Sequence, residues 1–273
     1  MIPAAFEYRR VHTVEDAVAQ LGELGDDAKL LAGGHSLLPL MRLRLATPAV
    51  VVDIGRVEGL SYVRDEGDQV AIGALTRHRD VEISPVLREM VPLLAHAASQ
   101  VGDPQVRHRG TIGGSLAHGD PASDLPAVVL ALGGTLVAQG PGGRREIPAG
   151  EFFTGFLETA LEPGEVLVEV RVPASPGGWS FQKFNRRAQD WAIVGVAAVR
   201  RNGSSGVALV NMGSTPVRAR ATEEALASGA SVSDAAALAA EGLDPPADLN
   251  ASPEFRAHLA RVLVRRALEE AGG

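Results

Sequence analysis

The chain of 273 residues contains no cysteine. That excludes disulfides, thiol redox centres and cysteine-ligated iron–sulfur clusters within it. Aromatic residues are scarce, at 4%, so each of the two tryptophans can be followed individually. The longest apolar runs, such as 192–199, fall short of the roughly 20 residues that a membrane-spanning helix needs. No basic block stands out against a formal net charge of -7, which argues against nucleic acid as a partner. The seven histidines are scattered, and none pairs at helical spacing beside a third ligand, so no metal site is expected. Residues 1–10 lack the charged-then-apolar pattern of a signal peptide, and a cytoplasmic location is expected. If such a chain handles electrons, it needs an organic cofactor.

Hydrophobic residues make up 45%, ordinary for a chain with packed cores. Thr13 reads as a helix cap, and Val14, Ala17, Val18 and Leu21 share one face of a helix over 14–24. A short strand at 28–31, a helix at 37–45 ended ahead of Pro48, and a strand at 50–54 complete a small α/β unit. Residues 60–64 and 69–74 predict a hairpin around Asp65-Glu66-Gly67-Asp68. Pro92 opens a helix ending near Gly102, and 122–132 is a helix stopped by Gly133. Strands follow at 135–138 and 165–172.

The segment Pro173-Ala174-Ser175-Pro176-Gly177-Gly178 marks a break. Beyond it, 180–184, 192–200 and 207–212 predict antiparallel strands, the last two joined by an Asn202-Gly203 turn. Helices at 218–227, 234–240 and 254–271 close the chain. The expected class is α+β. Residues 1–175 form a two-part domain, an α/β unit (1–55) and an α+β unit (56–175). Residues 176–273 form a C-terminal antiparallel sheet with helices.

Two segments carry candidate chemistry. In Ala32-Gly33-Gly34-His35-Ser36, between strand and helix, paired glycines let the backbone approach a bulky anion. The freed N–H groups can form a phosphate nest, with the Ser36 hydroxyl as a further donor. The plain alternative is a tight turn without a ligand, and the third glycine of a Rossmann fingerprint is missing. Thr111-Ile112-Gly113-Gly114-Ser115 repeats the arrangement, and two such turns can clamp a pyrophosphate from both sides. In Pro121-Ala122-Ser123-Asp124-Leu125-Pro126, the Asp124 carboxylate can accept from ribityl or ribose hydroxyls, or cap a helix equally well. His35 sits in the first turn and His118 near the second. His78, His96 and His108 read as packing or surface residues. No Ser–His–Asp arrangement has a supporting context.

These motifs, in this order, resemble the FAD-binding medium subunit of molybdenum hydroxylases, a family that includes carbon monoxide dehydrogenase and bacterial xanthine dehydrogenase-like enzymes. The resemblance spans essentially the whole chain. It implies an FAD pyrophosphate held by Ala32, Gly33, Gly34, His35 and Ser36 on one side and by Thr111, Gly113, Gly114 and Ser115 on the other. It implies Asp124 near the ribityl hydroxyls, Leu167 near the flavin ring and Lys183 at its edge, where a cation favours reduced flavin. Without the resemblance, Lys183 reads equally as a solvated strand lysine. Trp191 lies where relatives place an aromatic cover for the flavin; its plain alternative is a hydrophobic cover at a strand start.

The resemblance further implies partners: a [2Fe–2S] small subunit and a molybdenum-cofactor large subunit, with this chain relaying electrons to a terminal acceptor. The segment Arg186-Arg187-Ala188-Gln189-Asp190 carries one acid where NAD-reducing relatives carry an acidic loop. That argues against NAD and leaves a quinone, a protein or oxygen. A free-standing FAD oxidoreductase and a cofactor-less interaction protein on the same fold are the alternatives.

Overall fold

The computed structural model describes residues 2–201 and 204–272, so the expected Asn202-Gly203 turn lies outside the described residues. In the first unit Thr13 accepts a hydrogen bond from the Asp16 N–H at 3.1 Å and starts α1 (Val14–Leu24) as its side chain predicts. Strands β1 (Glu7–Arg10), β2 (Ala28–Leu31) and β3 (Val50–Asp53) form a parallel sheet in the order β1-β3-β2. The β-branched run Val50-Val51-Val52 takes the buried central place. Between β2 and β3, α2 (Leu37–Leu43) ends two residues short of its expected length because Arg44 turns left-handed, φ 59°.

The second unit opens with the expected hairpin, β4 (Val63–Asp65) and β5 (Gln69–Gly73). Short helices follow: α3 (His78–Ile83), α4 (Pro85–Met90), α5 (Pro92–Ser99), α6 (Pro104–Arg107), α7 (Ile112–His118) and α8 (Asp124–Leu132). Then come β6 (Thr135–Gly140), β7 (Gly143–Pro148), α9 (Ala149–Phe152), the small pair β8 (Phe153–Gly155) and β9 (Glu158–Thr159), and β10 (Val166–Pro173). An antiparallel sheet runs β4-β5-β10-β6-β7. In β10, Val166 and Val168 join the core shared with α1, whereas Val170 and Val172 join the core of α5 and α8. The bulge between Leu167 and Glu169 reverses the alternation between them.

Sequence periodicity missed α7. Two adjacent glycines argue against a helix. Here the Thr111 hydroxyl caps it, accepting from the Gly114 N–H at 3.1 Å, and Gly113 is required by packing: a Cβ there would lie 2.5 Å from Ala74 Cβ. The second glycine segment is therefore the first turn of a helix.

The third unit is the sheet β11-β12-β13-β14, formed by β11 (Trp179–Phe184), β12 (Val194–Arg201), β13 (Ser204–Val210) and β14 (Val217–Arg218). Helices α10 (Arg220–Ala227), α11 (Val232–Ala237) and α12 (Pro253–Gly272) follow. In β12, Val194, Val196 and Ala198 pack with residues of α12, and Ala197 and Val199 pack in the core that contains α8. Burial on both faces explains its continuous apolar run. Every residue of α8 is buried, as expected of a helix apolar all round. No helix among the described residues is long and apolar enough to cross a membrane.

Candidate functional site

The two glycine segments lie side by side at the carboxyl end of β2. A Cβ on Gly33 would come within 2.4 Å of the Arg109 carbonyl and 2.8 Å of Gly110 Cα, so only glycine allows these backbones to meet. Gly34 has φ +82°, and a Cβ on Gly114 would lie 3.9 Å from Ala32 Cβ. The segments differ in their donors. The N–H groups of Ile112, Gly113 and Gly114 go to Thr76 O, Ala74 O and Thr111 Oγ1. Among the described residues, those of Gly33, Gly34, His35, Ser36 and Leu37 find no acceptor in the protein. Buried backbone donors are almost always paired, and five free ones in succession at a half-open surface can serve as a cradle for an anion. Ser36 makes no capping bond and keeps its hydroxyl available. The first segment offers donors; the second is a wall, with half-buried Ser115 on the first turn of α7.

The basic side chains of Arg77 and His78 lie against the second segment. Arg77 donates to the Arg109 carbonyl, the atom that abuts Gly33, and Arg77 bridges Thr111 in an isolated β-pair. Burial, then the neighbouring Arg109, depresses the Arg77 pKa. His78 is buried under Gly110, whose hypothetical Cβ would lie 2.7 Å from its ring. Burial, then His35, Arg107 and Arg77, lowers its pKa to about 4, and its Nδ1 has no partner. Sequence reasoning missed Arg77 and Arg109 because no spacing joins residues 32 apart to a turn at 33. His78 is a packing residue as expected, but it packs beneath the cradle.

A second cluster lies at the start of α8. Lys183 Nζ sits 2.7 Å from Asp124 Oδ2 and 3.0 Å from the Gln100 carbonyl, with the side chains 7% and 6% exposed. Lys183 is not a solvated strand lysine. Asp124 occupies the first helical position rather than the cap, Ser123. Burial raises the Asp124 pKa to about 6 despite the attraction of Lys183. Its Oδ1 is buried without a partner, an arrangement that suits a hydroxyl donor from a bound molecule.

The remaining expected residues divide. Leu167 is a core residue of β10. His118 ends α7, where Gly119 turns left-handed. Trp191 stands 71% exposed just before β12, while Trp179 packs on His96 at 5.2 Å. The structure thus joins 32–36 with 109–114 and Asp124 with Lys183. An anion cradle with basic neighbours and a buried carboxylate awaiting a hydroxyl fit the pyrophosphate and polyol of a flavin dinucleotide.

Comparison with known proteins defines the class. Residues 4–175 match the FAD binding domain in molybdopterin dehydrogenase, and residues 179–271 match the CO dehydrogenase flavoprotein C-terminal domain. The chain belongs to this family of FAD-binding oxidoreductase subunits of molybdenum hydroxylases. It is 44% identical over 282 aligned residues to the carbon monoxide dehydrogenase medium chain of Hydrogenophaga pseudoflava, covering 99% of this chain and 98% of that one. It is 40% identical to the 6-hydroxypseudooxynicotine dehydrogenase complex subunit alpha of Paenarthrobacter nicotinovorans, covering 99% and 96%. The solved structure of the Hydrogenophaga pseudoflava carbon monoxide dehydrogenase lacking the Mo-pyranopterin moiety matches with a TM-score of 0.95 at 46% identity, covering 100% of this chain and 99% of that one.

Proposed function

We propose that this chain binds one FAD and relays electrons from [2Fe–2S] clusters on a small partner subunit to a terminal acceptor, substrate oxidation taking place on a molybdenum-bearing large subunit. FAD supplies a centre that takes electrons singly and passes on two. Residues 1–175 form the FAD-binding domain and 176–273 the C-terminal domain. The amides of Gly33 to Leu37 and the Ser36 hydroxyl hold the pyrophosphate, with Thr111, Gly113, Gly114 and Ser115 closing the cradle. Arg77 and Arg109 offset its charge. Asp124 accepts a hydroxyl, Lys183 keeps that carboxylate ionised beside the flavin, and Trp191 covers the ring, with Leu167 behind it.

The observation that carries this reading is the row of five free amides against Arg109 and Gly110. A chain without cysteine cannot hold iron–sulfur clusters on thiolates, which supports their place on a partner. Relatives of 44% and 40% identity are named for carbon monoxide and for 6-hydroxypseudooxynicotine, which supports a substrate site on another chain. The partner interface includes the largely exposed segment 184–191 and buries on the order of 2,000 Å², the scale of permanent complexes. Chromatography of the flavin released from purified chain tests the cofactor: FAD supports the reading, and FMN, or no flavin after reconstitution, overturns it.

A further inference from the structure

Arg256 is a fully buried arginine, 0% exposed, in the first turn of α12. Such a place is costly twice over. A buried cation loses its hydration, and the amino end of a helix repels positive charge. Its contacts show what it holds. One terminal nitrogen donates to the Ile193 carbonyl and reaches the Asn211 carbonyl at 3.4 Å. The other lies 2.7 Å from the Asp248 carboxylate in an ion pair without hydrogen-bond alignment.

Asn211 is itself a junction. It has a left-handed φ of 60°, and its side-chain amide donates to the Ala192 carbonyl at 2.9 Å. Its backbone N–H donates to the Pro121 carbonyl at 2.8 Å. The two carbonyls that follow Trp191 are thus pinned from α12 and from the end of β13. The same residue then grips the loop that delivers Asp124, three positions after Pro121. No other fully buried arginine occurs among the described residues.

We propose that Arg256 is a positioning residue: through Ile193 and Asn211 it locks the Trp191 segment of the C-terminal unit to the 121–124 loop of the FAD-binding unit, fixing the ring cover relative to Asp124. Its functional meaning rests on the FAD reading above; the mechanical link does not. Arg256→Gln keeps an amide donor but is shorter than arginine and loses the fork and the charge.

Hydrogen exchange of the full chain, without added flavin, reads the link. In Arg256→Gln, amides of 118–126, which do not touch Arg256, should exchange at least tenfold faster, while the β5 strand is unchanged. Faster exchange confined to 190–194, 211 and α12, with 118–126 as in the wild type, overturns the proposal, because it is what a merely structural arginine would give. Should Arg256→Gln fail to fold, Asp248→Asn, altering a partner 42% exposed, decides by the same pattern at smaller amplitude. In flavin-loaded protein, Arg256→Gln should brighten flavin emission, and Trp191→Ala should add little in that background. Additive brightening sinks the route through Trp191. A wild-type chain that takes up no FAD refutes the cofactor reading and leaves the exchange result as the test of the link.

Discussion

Lys183 of β11 reaches across to Asp124 of α8 and forms a buried ion pair at 2.7 Å, so the C-terminal sheet supplies the counter-charge of a carboxylate on the preceding unit. A pair of this kind contributes little net stability over a matched apolar pair, but losing one member strands the other. Lys183→Met should destabilise the chain by about 3–5 kcal/mol. Asp124→Asn with Lys183→Met should recover much of that loss. Urea unfolding measures both; equal stabilities for single and double variants contradict the pairing.

The same carboxyl sets a pH dependence. Burial raises the Asp124 pKa from its ordinary 3.8 to about 6, so the folded chain holds this proton more tightly than the unfolded one. Its contribution to stability is complete below about pH 4 and is lost as pH rises to about 6, on the order of 3 kcal/mol in all. His78 runs the other way. Its pKa is lowered to about 4, so its contribution is present above about pH 6.5 and is lost as pH falls through 4. Unfolding free energy against pH for wild type minus Asp124→Asn isolates the first slope. Parallel curves between pH 4 and 6 contradict it.

Glycine substitutions separate close packing from mere flexibility. Gly33→Ala drives a methyl to 2.4 Å from the Arg109 carbonyl, which must displace both turns of the cradle. Flavin affinity should fall at least tenfold, about 1.4 kcal/mol, and stability by about 1–3 kcal/mol. Gly142→Ala meets no atom within 4 Å and needs no positive φ, so it serves as the control. Flavin titration followed by emission is the measurement; equal affinities in the two variants count against the cradle.

Trp191 tests the ring cover. At 71% exposure it contributes little to the fold, so Trp191→Ala should leave stability within about 0.5 kcal/mol. Flavin affinity should fall by roughly 1–2 kcal/mol, and bound-flavin emission should rise as the quenching indole is removed. Loss of stability with unchanged emission assigns the tryptophan to packing.

Much of this was legible in the sequence, for local reasons. Thr13 caps α1 where its side chain says it should, and the short apolar runs around 69–73 and 194–199 mark the strands. The glycine pairs and Asp124 stand in the sequence as motifs. Their neighbours were not legible. Helix α7 was hidden because Gly113 lowers helix propensity and is tolerated only through its contact with Ala74. Arg77, Arg109 and the Lys183–Asp124 pair depend on contacts across 32 and 59 positions, which no periodicity encodes. The division of labour between the two glycine segments, donors in one and a wall in the other, depends on Ala74 and Thr76 accepting the α7 amides.

On the proposed reading this chain holds the flavin while partners hold the metals. Co-expression with candidate iron–sulfur and molybdenum subunits, followed by size exclusion with flavin, iron and molybdenum assayed in each fraction, tests it most directly. All three should elute together as one complex in constant ratio, with flavin reduced by substrate only in that complex. A chain that elutes alone beside those partners, its flavin reduced directly by a small molecule, would contradict this reading.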